Sequence, residues 1–498
     1  MIKPLYRYIL ILTIATISSN AQDISLKHYH ANYKSTYESI ALTPTEDMGL
    51  SSISILYDMS PFWYAGVDIY GATSGNRGGF FTTGVDIGLR LKPFDHIEIN
   101  PGIFVGAGGG GAAPQGGGLM IRPYLEASYH TDSFTAGIGI SHIEFPNGDI
   151  SSTQPYFSIS IPTDGGYISG HPYGKPNAID GHTSTKEVDF SFLVEHYVPR
   201  DGSLNTDGVT QTKPYTLAGV KLKQEIAPSW YSIAETAGAG GGSSDGFMEI
   251  LAGVGYQYKS TSLPIELNLE ALLGAAGGGR VDTGGGIVYK LQAGATISPI
   301  KHLSISVNAG TIESIDGTLS ATTYSLNIGY KNNFIDTLGD DTETTQSPWS
   351  VRIMNKSYLD TDTIFNSTKN FDRVDLLGFS IERYITPHIY LIGQTYWAYK
   401  GGAGGYAEGV VGLGYQTSSY HGLSIYGEAM AGVGGGGGVD IGGGLFGAVG
   451  AGLAYSIADD IDIFIGGEYA KGRDGGFSSN AFKAGLKYNF SLLEVADD

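Results

Sequence analysis

There is no cysteine anywhere in the 498 residues. That excludes a disulfide framework, thiolate metal sites, thiol catalysis and a lipid-modified N-terminal cysteine. Charge is scarce too: Asp, Glu, Lys and Arg make up 16 % of the chain, against the usual quarter. The balance is acidic, with a net charge of −20, which argues against nucleic acid as a partner. No segment supplies the roughly 18 consecutive apolar residues that a membrane-crossing helix needs. Apolar surface itself is not lacking, because 41 % of residues are hydrophobic and 33 are Tyr; a disordered chain would have fewer aromatics and more charge. Glycine is the excess, 76 residues, roughly twice the ordinary frequency.

The first residues, MIKPLYRYILILTIATISSNAQD, have the layout of an export signal. Lys3 and Arg7 form a positive start, Tyr8–Ser18 an apolar stretch too short to span a membrane, and Ser19-Asn20-Ala21 a small-x-small cleavage site. Residues 1–21 are therefore expected to be a cleaved signal peptide.

The chain then repeats itself. GAGGGGAAPQGGG (106–118), GAAGGGRVDTGGG (274–286) and GVGGGGGVDIGGG (432–444) are each thirteen residues long, and each follows a proline turn, at Pro61, Pro228 and Pro387. The intervals from proline to glycine run are 45, 46 and 45 positions. Low-complexity slippage does not hold a spacing across so much mixed sequence, so these are three copies of one folding unit. The divisions expected are unit one at 22–162, a linker at 163–185, unit two at 186–334, a linker at 335–347, unit three at 348–490 and a tail at 491–498.

Within a unit, apolar residues alternate with polar or small ones. Trp63, Ala65, Val67 and Ile69 oppose Tyr64, Gly66, Asp68 and Tyr70, and Val85, Ile87 and Leu89 oppose Asp86, Gly88 and Arg90. A period of two sustained over ten residues predicts long β-strands. Eight fall in the first unit, near 23–34, 50–58, 62–72, 79–92, 96–107, 117–129, 134–145 and 155–162. Connections alternate between short turns (DMSP, KPFDH, HTDS) and longer loops such as STYESIALTPTEDMG and PNGDISSTQ. Long strands with one aliphatic face, joined by turns at one end and loops at the other, predict a transmembrane antiparallel up-and-down β-barrel. Aromatics near strand ends, Phe62, Trp63, Tyr129, Trp230 and Tyr258, suit interfacial girdles. A soluble β-sandwich is the alternative, but its strands are typically half this length.

The end of the third unit, AFKAGLKYNF (481–490), resembles the closing strand of Gram-negative outer-membrane β-barrel proteins, with Gly485, Tyr488 and Phe490 at the small, aromatic and final-Phe positions. The resemblance implies that this strand is read by the outer-membrane assembly machinery and that lipid surrounds the barrel. SLLEVADD follows here, whereas the family's Phe is typically the last residue. Each unit is also similar to the small eight-stranded barrels of that family, which implies an architecture and no particular activity.

Twenty-four strands can close as three eight-stranded barrels or as one 24-stranded barrel. The polar linkers favour three, as do the inward faces, which mix Gly with Tyr, Phe104, Met120, Leu251, Met430 and Phe446, a filling suited to a narrow interior. The inward charges expected in unit one are Asp68, Asp86, Arg90, Glu98, Arg122 and Glu126; they can line an ion path or pair with one another. Glu270 and Glu428 share a position that Gly102 holds in unit one. His130 with Ser133 is the one pair reminiscent of lipid-modifying barrel enzymes, and HTDS is more simply a polar turn, so no catalytic residue is assigned. Asp282 and Asp440 give the glycine runs a passing likeness to calcium repeats, but unit one has Pro114 and Gln115 there, and no metal or cofactor is expected.

The glycines Gly106, Gly108, Gly109, Gly110 and Gly111, Gly277, Gly278 and Gly279, and Gly434, Gly435 and Gly436 are expected to form structural hairpins where strands curve tightly or backbones approach closely. The function expected is that of a non-enzymatic outer-membrane barrel with a structural or surface-interaction role. The alternatives are a porin-like channel for small solutes and a lipid-modifying enzyme.

Overall fold

The structure, a computed structural model, describes residues 26–43, 46–131, 133–171, 183–242, 244–260, 264–337, 344–360, 364–365 and 373–495. The expected signal segment lies outside them, as do the centres of both linkers, 172–182 and 338–343. Among the described residues there is no helix, and the twenty-five strands form closed antiparallel sheet.

The first nine strands are β1 (Lys27–Thr43), β2 (Glu46–Ser60), β3 (Trp63–Ser74), β4 (Phe80–Leu89), β5 (Leu91–Phe94), β6 (Ile97–Gly110), β7 (Leu119–His130), β8 (Thr135–Glu144) and β9 (Ser151–Ser169). Each pairs with the next, except that β4 and β5 both pair with β6 and so share one place. β9 returns to β1, with Ile161 opposite Tyr33.

The next eight are β10 (Ser184–Pro199), β11 (Tyr215–Ala227), β12 (Trp230–Gly241), β13 (Met248–Lys259), β14 (Ile265–Gly277), β15 (Ile287–Ile300), β16 (Leu303–Ser314) and β17 (Ser320–Thr337), and β17 returns to β10. The last eight are β18 (Thr344–Tyr358), β19 (Val374–Tyr384), β20 (Ile389–Lys400), β21 (Ala407–Gln416), β22 (Leu423–Gly435), β23 (Leu445–Ser456), β24 (Ile461–Gly472) and β25 (Ser478–Val495), and β25 returns to β18. The ladders thus trace three circuits.

Alternation decides which face goes where. In β8 and β9 the apolar set faces out: Ile138, Ile140 and Phe157 are 62 %, 63 % and 63 % exposed. The polar and charged set faces in, with Glu38 and Arg122 1 % and 2 % exposed. This inverts the distribution of a soluble protein, in which charged side chains are almost never fully buried. Apart from β5, strands run from 10 to 19 residues. At about 3.3 Å per residue and a tilt near 45°, strands of 11 residues or more cross an apolar belt of about 25 Å, and the 10-residue ones reach about 23 Å.

Several expected boundaries move. The long connection expected over 35–49 is strand nearly throughout, because β1 continues to Thr43 and β2 begins at Glu46. Its outward residues are Ser35, Tyr37, Ser39 and Ala41, which read as loop-like, while Glu38, Ile40 and Leu42 stay buried inside. The single strand expected at 79–92 breaks at Arg90, and the register against β6 shifts just beyond, between Leu91 and Phe94. Residues 163–169, expected as linker, extend β9 against β1. Ser491–Val495, expected as tail, extend β25.

These extensions join the circuits at the short-turn end. Ser491 pairs with Ile168 and Phe334 with Glu494, and Leu26, Ile168, Ile335 and Leu493 form one small apolar cluster.

Candidate functional site

At the opposite end the glycine runs bring the circuits together. Gly110, Gly278 and Gly436 hold one repeat position, and Gly79, Gly246 and Gly405 another. A methyl group on Gly79 would fall 2.3 Å from the Gly278 nitrogen, one on Gly246 3.1 Å from that of Gly436, and one on Gly405 2.8 Å from that of Gly110. The same cyclic pattern recurs one step further along. A methyl on Gly286 would meet the Ala72 carbonyl at 2.4 Å, on Gly444 the Ala239 carbonyl at 2.2 Å, and on Gly118 the Ala398 carbonyl at 2.3 Å. First touches second, second touches third, and third touches first. All but the Gly246 contact are closer than real Cβ atoms come, and all six glycines hold a left-handed φ, so glycine is what lets these backbones meet. Gly78 N donates to Gly284 O at 2.9 Å, and Gln115 Nε2 to Gly404 O at 3.1 Å, across two of the seams.

The expected hairpin glycines are therefore mostly strand ends: Gly106, Gly108, Gly109 and Gly110 lie in β6, Gly277 in β14, and Gly434 and Gly435 in β22. Gly111, Gly278, Gly279 and Gly436 open the connections that follow. Where the three seams converge, Phe81, Ala107, Ala275 and Trp397 pack in one cluster, with Met248, Leu377 and Ala407 against it. Gly71, Gly238 and Trp397, each ten residues after its turn proline, lie against the neighbouring circuit. A methyl on Gly71 would fall 2.7 Å from Ala275, and one on Gly238 3.3 Å from Val433. In the loop before β13, burial and the neighbouring Asp440 push the Asp245 carboxyl up to about 6.

The lumens hold two layers. Towards the glycine end each is filled by apolar side chains: Phe80, Phe104, Met120 and Phe145 in the first, Leu193, Tyr197, Tyr215 and Phe247 in the second, Tyr358, Tyr396, Tyr406 and Phe446 in the third. Below that lie buried ion pairs. In the second circuit Lys290 Nζ sits 2.7, 2.7 and 2.6 Å from the carboxylates of Glu195, Glu235 and Glu249. These three carboxylates could converge on a metal ion, but the protein's own ammonium occupies their centre. Lys221 pairs with Glu235 and Glu270 beside them. In the third, Arg352 joins Glu382 to Glu428, Lys356 joins Glu408 to Glu468, and Lys483 joins Glu428 to Glu468.

The six charges expected inside unit one all face the lumen, but most take partners outside that set. Arg122 Nε bonds Glu38 at 2.7 Å, Glu126 accepts from Lys34 at 2.7 Å, and Asp86 accepts from the Tyr124 hydroxyl at 2.6 Å. Arg90 bonds Asp58 at 2.7 Å and reaches Glu98 at 3.5 Å, the one pair formed within the set among the described residues. Asp68 is buried nearby. Glu38 escaped the sequence reading because it lies beyond residue 34, where β1 was expected to end; Lys34, the last residue of that expected strand, was not assigned to the inward set. Parts of the networks of units two and three were detectable as lone charges in otherwise uncharged strands, such as Glu235 in β12 and Lys290 in β15.

Gly485 lies in β25, where a methyl would meet the Ile353 carbonyl at 2.2 Å. Tyr488 and Phe490 stack with centroids 6.1 Å apart, and Phe490 faces Trp349 across the closing ladder. His130 Nδ1 bonds Thr135 Oγ1 at 2.8 Å rather than Ser133. Asp282 accepts from Gly284 N and Thr318 Oγ1, and Asp440 from Gly476 N, so both carboxylates tie their loops to the connection beside them.

No family model matches the chain, and no curated protein matches it. Among solved structures it is similar to the copper transporter OprC, at 8 % identity over 95 % of this chain and 81 % of that one, with a TM-score of 0.29. It is similar also to the outer membrane protein OpdK of Pseudomonas aeruginosa, at 8 % identity over 93 % and 98 %, TM-score 0.22. A third is OccK11 (OpdR) of the same organism, at 10 % identity over 95 % and 96 %, TM-score 0.22. Scores this low carry no inference about activity.

Proposed function

We propose that the chain is an integral outer-membrane protein of a Gram-negative envelope, built as three tandem eight-stranded barrels that dock side by side through their glycine seams. Its role in this reading is structural or surface-interacting, without transport and without catalysis. The observation that carries it is the inverted distribution of side chains: aliphatics cover the outer faces, while interlocked ion pairs and aromatics occupy each lumen. An outward aliphatic face suits lipid contact, and a lumen of eight strands is just filled by side chains.

In this reading residues 1–21 are removed on export, the assembly machinery reads Gly485, Tyr488 and Phe490, and the surrounding lipid is the main partner. The channel alternative requires a continuous path. In the first barrel that path is crossed by the hydrogen-bonded Tyr64 and Tyr124 hydroxyls, 2.8 Å apart, with Tyr124 held in turn by Asp86.

Planar bilayers test the reading. Purified full chain is expected to insert without stable conductance steps. Large uniform steps would overturn it in favour of a pore, and recovery of the expressed protein in the soluble periplasmic fraction would overturn the membrane assignment.

A further inference from the structure

The chain that leaves the first circuit covers the third. Gly170, just past β9, holds a φ of +71°, a left-handed turn that suits glycine, and Ser169–His171 then lies across the short-turn mouth of the third lumen. The strap is fastened along its length. Ser169 Oγ donates to Asp460 at 2.6 Å, Gly170 N to Asn489 O at 2.9 Å, and Ser491 Oγ to Gly170 O at 3.0 Å. His171 Nε2 donates to the Trp349 carbonyl at 2.8 Å, and its ring meets that of Tyr384 edge-on, centroids 5.0 Å apart.

Beneath the strap, Lys487 Nζ donates to the Tyr384 hydroxyl at 2.6 Å and to Gln416 at 3.0 Å, and Gln416 donates to Ser424 Oγ at 2.8 Å. Ser424 is only 5 % exposed. The mouth of the first circuit, lined by first-circuit residues alone, encloses about 450 Å³. Asp58 stands there in the repeat position of Tyr384, each three residues before its turn proline.

We propose that Ser169–His171 is a pH-sensitive latch, which covers the third mouth while the His171 imidazole is neutral and lets go when it takes a proton. With the Nε2 hydrogen given to Trp349, Nδ1 of the neutral ring has no hydrogen-bond partner among the described residues. A proton there adds a donor with nothing to receive it, which is costly where water is excluded. Lys487 on β25 opposes the new charge, while Glu382 on β19 and Asp462 on β24 favour it. Both carboxylates are already engaged, Glu382 2.9 Å from Lys487 and Asp462 accepting from Asn489 at 2.9 Å. Burial outweighs the rest and holds the imidazole below its ordinary value of about 6.5. The latched state therefore binds the proton less tightly than the released one. The latch is firm above about pH 6.5 and loosens as pH falls below it. This goes beyond the membrane reading and does not depend on it.

The chain has no native cysteine, so single thiols report on the latch. Ser424→Cys places one beneath it, and Ser419→Cys places a reference in the exposed turn nearby. Each is reacted with a charged, water-soluble methanethiosulfonate on purified full chain in detergent. Dividing the first rate by the second at the same pH removes the thiol's own titration. The ratio is expected to be low at pH 7.5 and to rise several-fold at pH 5.5. His171→Gln, which keeps a donor but does not titrate, should hold it low at both values, and His171→Ala should raise it at both. An equal ratio at the two pH values, a pH response kept by His171→Gln, or a low ratio in His171→Ala at pH 7.5 would each overturn the proposal. Hydrogen exchange of the Gly170 amide, corrected for its intrinsic rate, makes the same comparison on the unaltered chain. Equal protection at both pH values there would count against the latch even if a variant failed to fold.

Discussion

Tyr124 stands directly across the β6–β7 ladder from Gly102 and fills the room a side chain there would need: a methyl on Gly102 would fall 2.4 Å from the phenol oxygen. In the second unit the same cross-strand pair is Glu270 with Gln292, which donates to it at 2.6 Å, and in the third it is Glu428 with Gly450. One layer of lumen is thus filled in three ways, always with one long partner reaching over. Gly102→Glu alone should destabilise the first unit by about 1–3 kcal/mol through overpacking. Adding Tyr124→Gln should recover much of that loss. Urea unfolding of the two singles and the double gives the coupling, and additive losses would contradict the shared space.

The seams can be tested without disturbing a strand's own conformation. Gly240 has no left-handed backbone, and a methyl there would meet chiefly Val433 of the third unit, at 2.6 Å. Gly240→Leu should therefore weaken the second-to-third seam and leave each ladder closed. With a protease site placed within 172–182 and another within 338–343, the cleaved wild-type fragments should co-purify, whereas those of the variant should separate.

Lys290 Nζ bonds three buried carboxylates at once. Lys290→Met should cost about 3–5 kcal/mol, since a buried charge left without its partner is far more expensive than an absent pair. Combining it with Glu195→Gln, Glu235→Gln and Glu249→Gln should restore part of the loss. The midpoint of denaturant unfolding, followed by gel mobility of unheated samples, reads both.

Asp245 gives the second-to-third seam a pH dependence. Its carboxyl titrates near 6 in the folded protein through burial and Asp440, above the ordinary value of about 3.9. A raised carboxyl pKa means the folded state holds the proton more tightly. The stabilisation is therefore complete at pH below about 4 and disappears as pH rises through 6. Co-purification of the cleaved fragments should be firmer at pH 5 than at pH 7.5. Asp245→Asn should remove the difference, and a seam equally firm at both pH values would count against it.

Much of this architecture could be read from strand alternation and repeat spacing. The inward positions of Asp68, Asp86 and Arg122 follow from parity alone, since a period of two leaves a side chain one of two faces. What escaped was information carried by contacts distant in sequence. The outward row Ser35, Tyr37, Ser39, Ala41 looks like loop because that part of β1 has no aliphatic face; only its ladder with β2 shows it to be strand. Leu493 reads as a stray apolar residue in a tail until Leu26, Ile168 and Ile335, from the far ends of two other units, are found around it. The glycine runs were legible as close approach of backbones, but not which backbone approached. That partner lies on a different copy of the repeat, and no local pattern records it.

Trp397 shows what joining the copies end to end permits. An assembly of identical subunits must place the same side chain at every symmetry-related position, and three indoles could not share the space where these seams meet. Here the first two copies contribute only hydrogen at that position, Gly71 and Gly238, and the third supplies the single ring that packs on Phe81, Ala107 and Ala275. Holding three circuits in one chain releases the centre of the molecule from symmetry. Each copy can then specialise at one point while the repeated frame is kept.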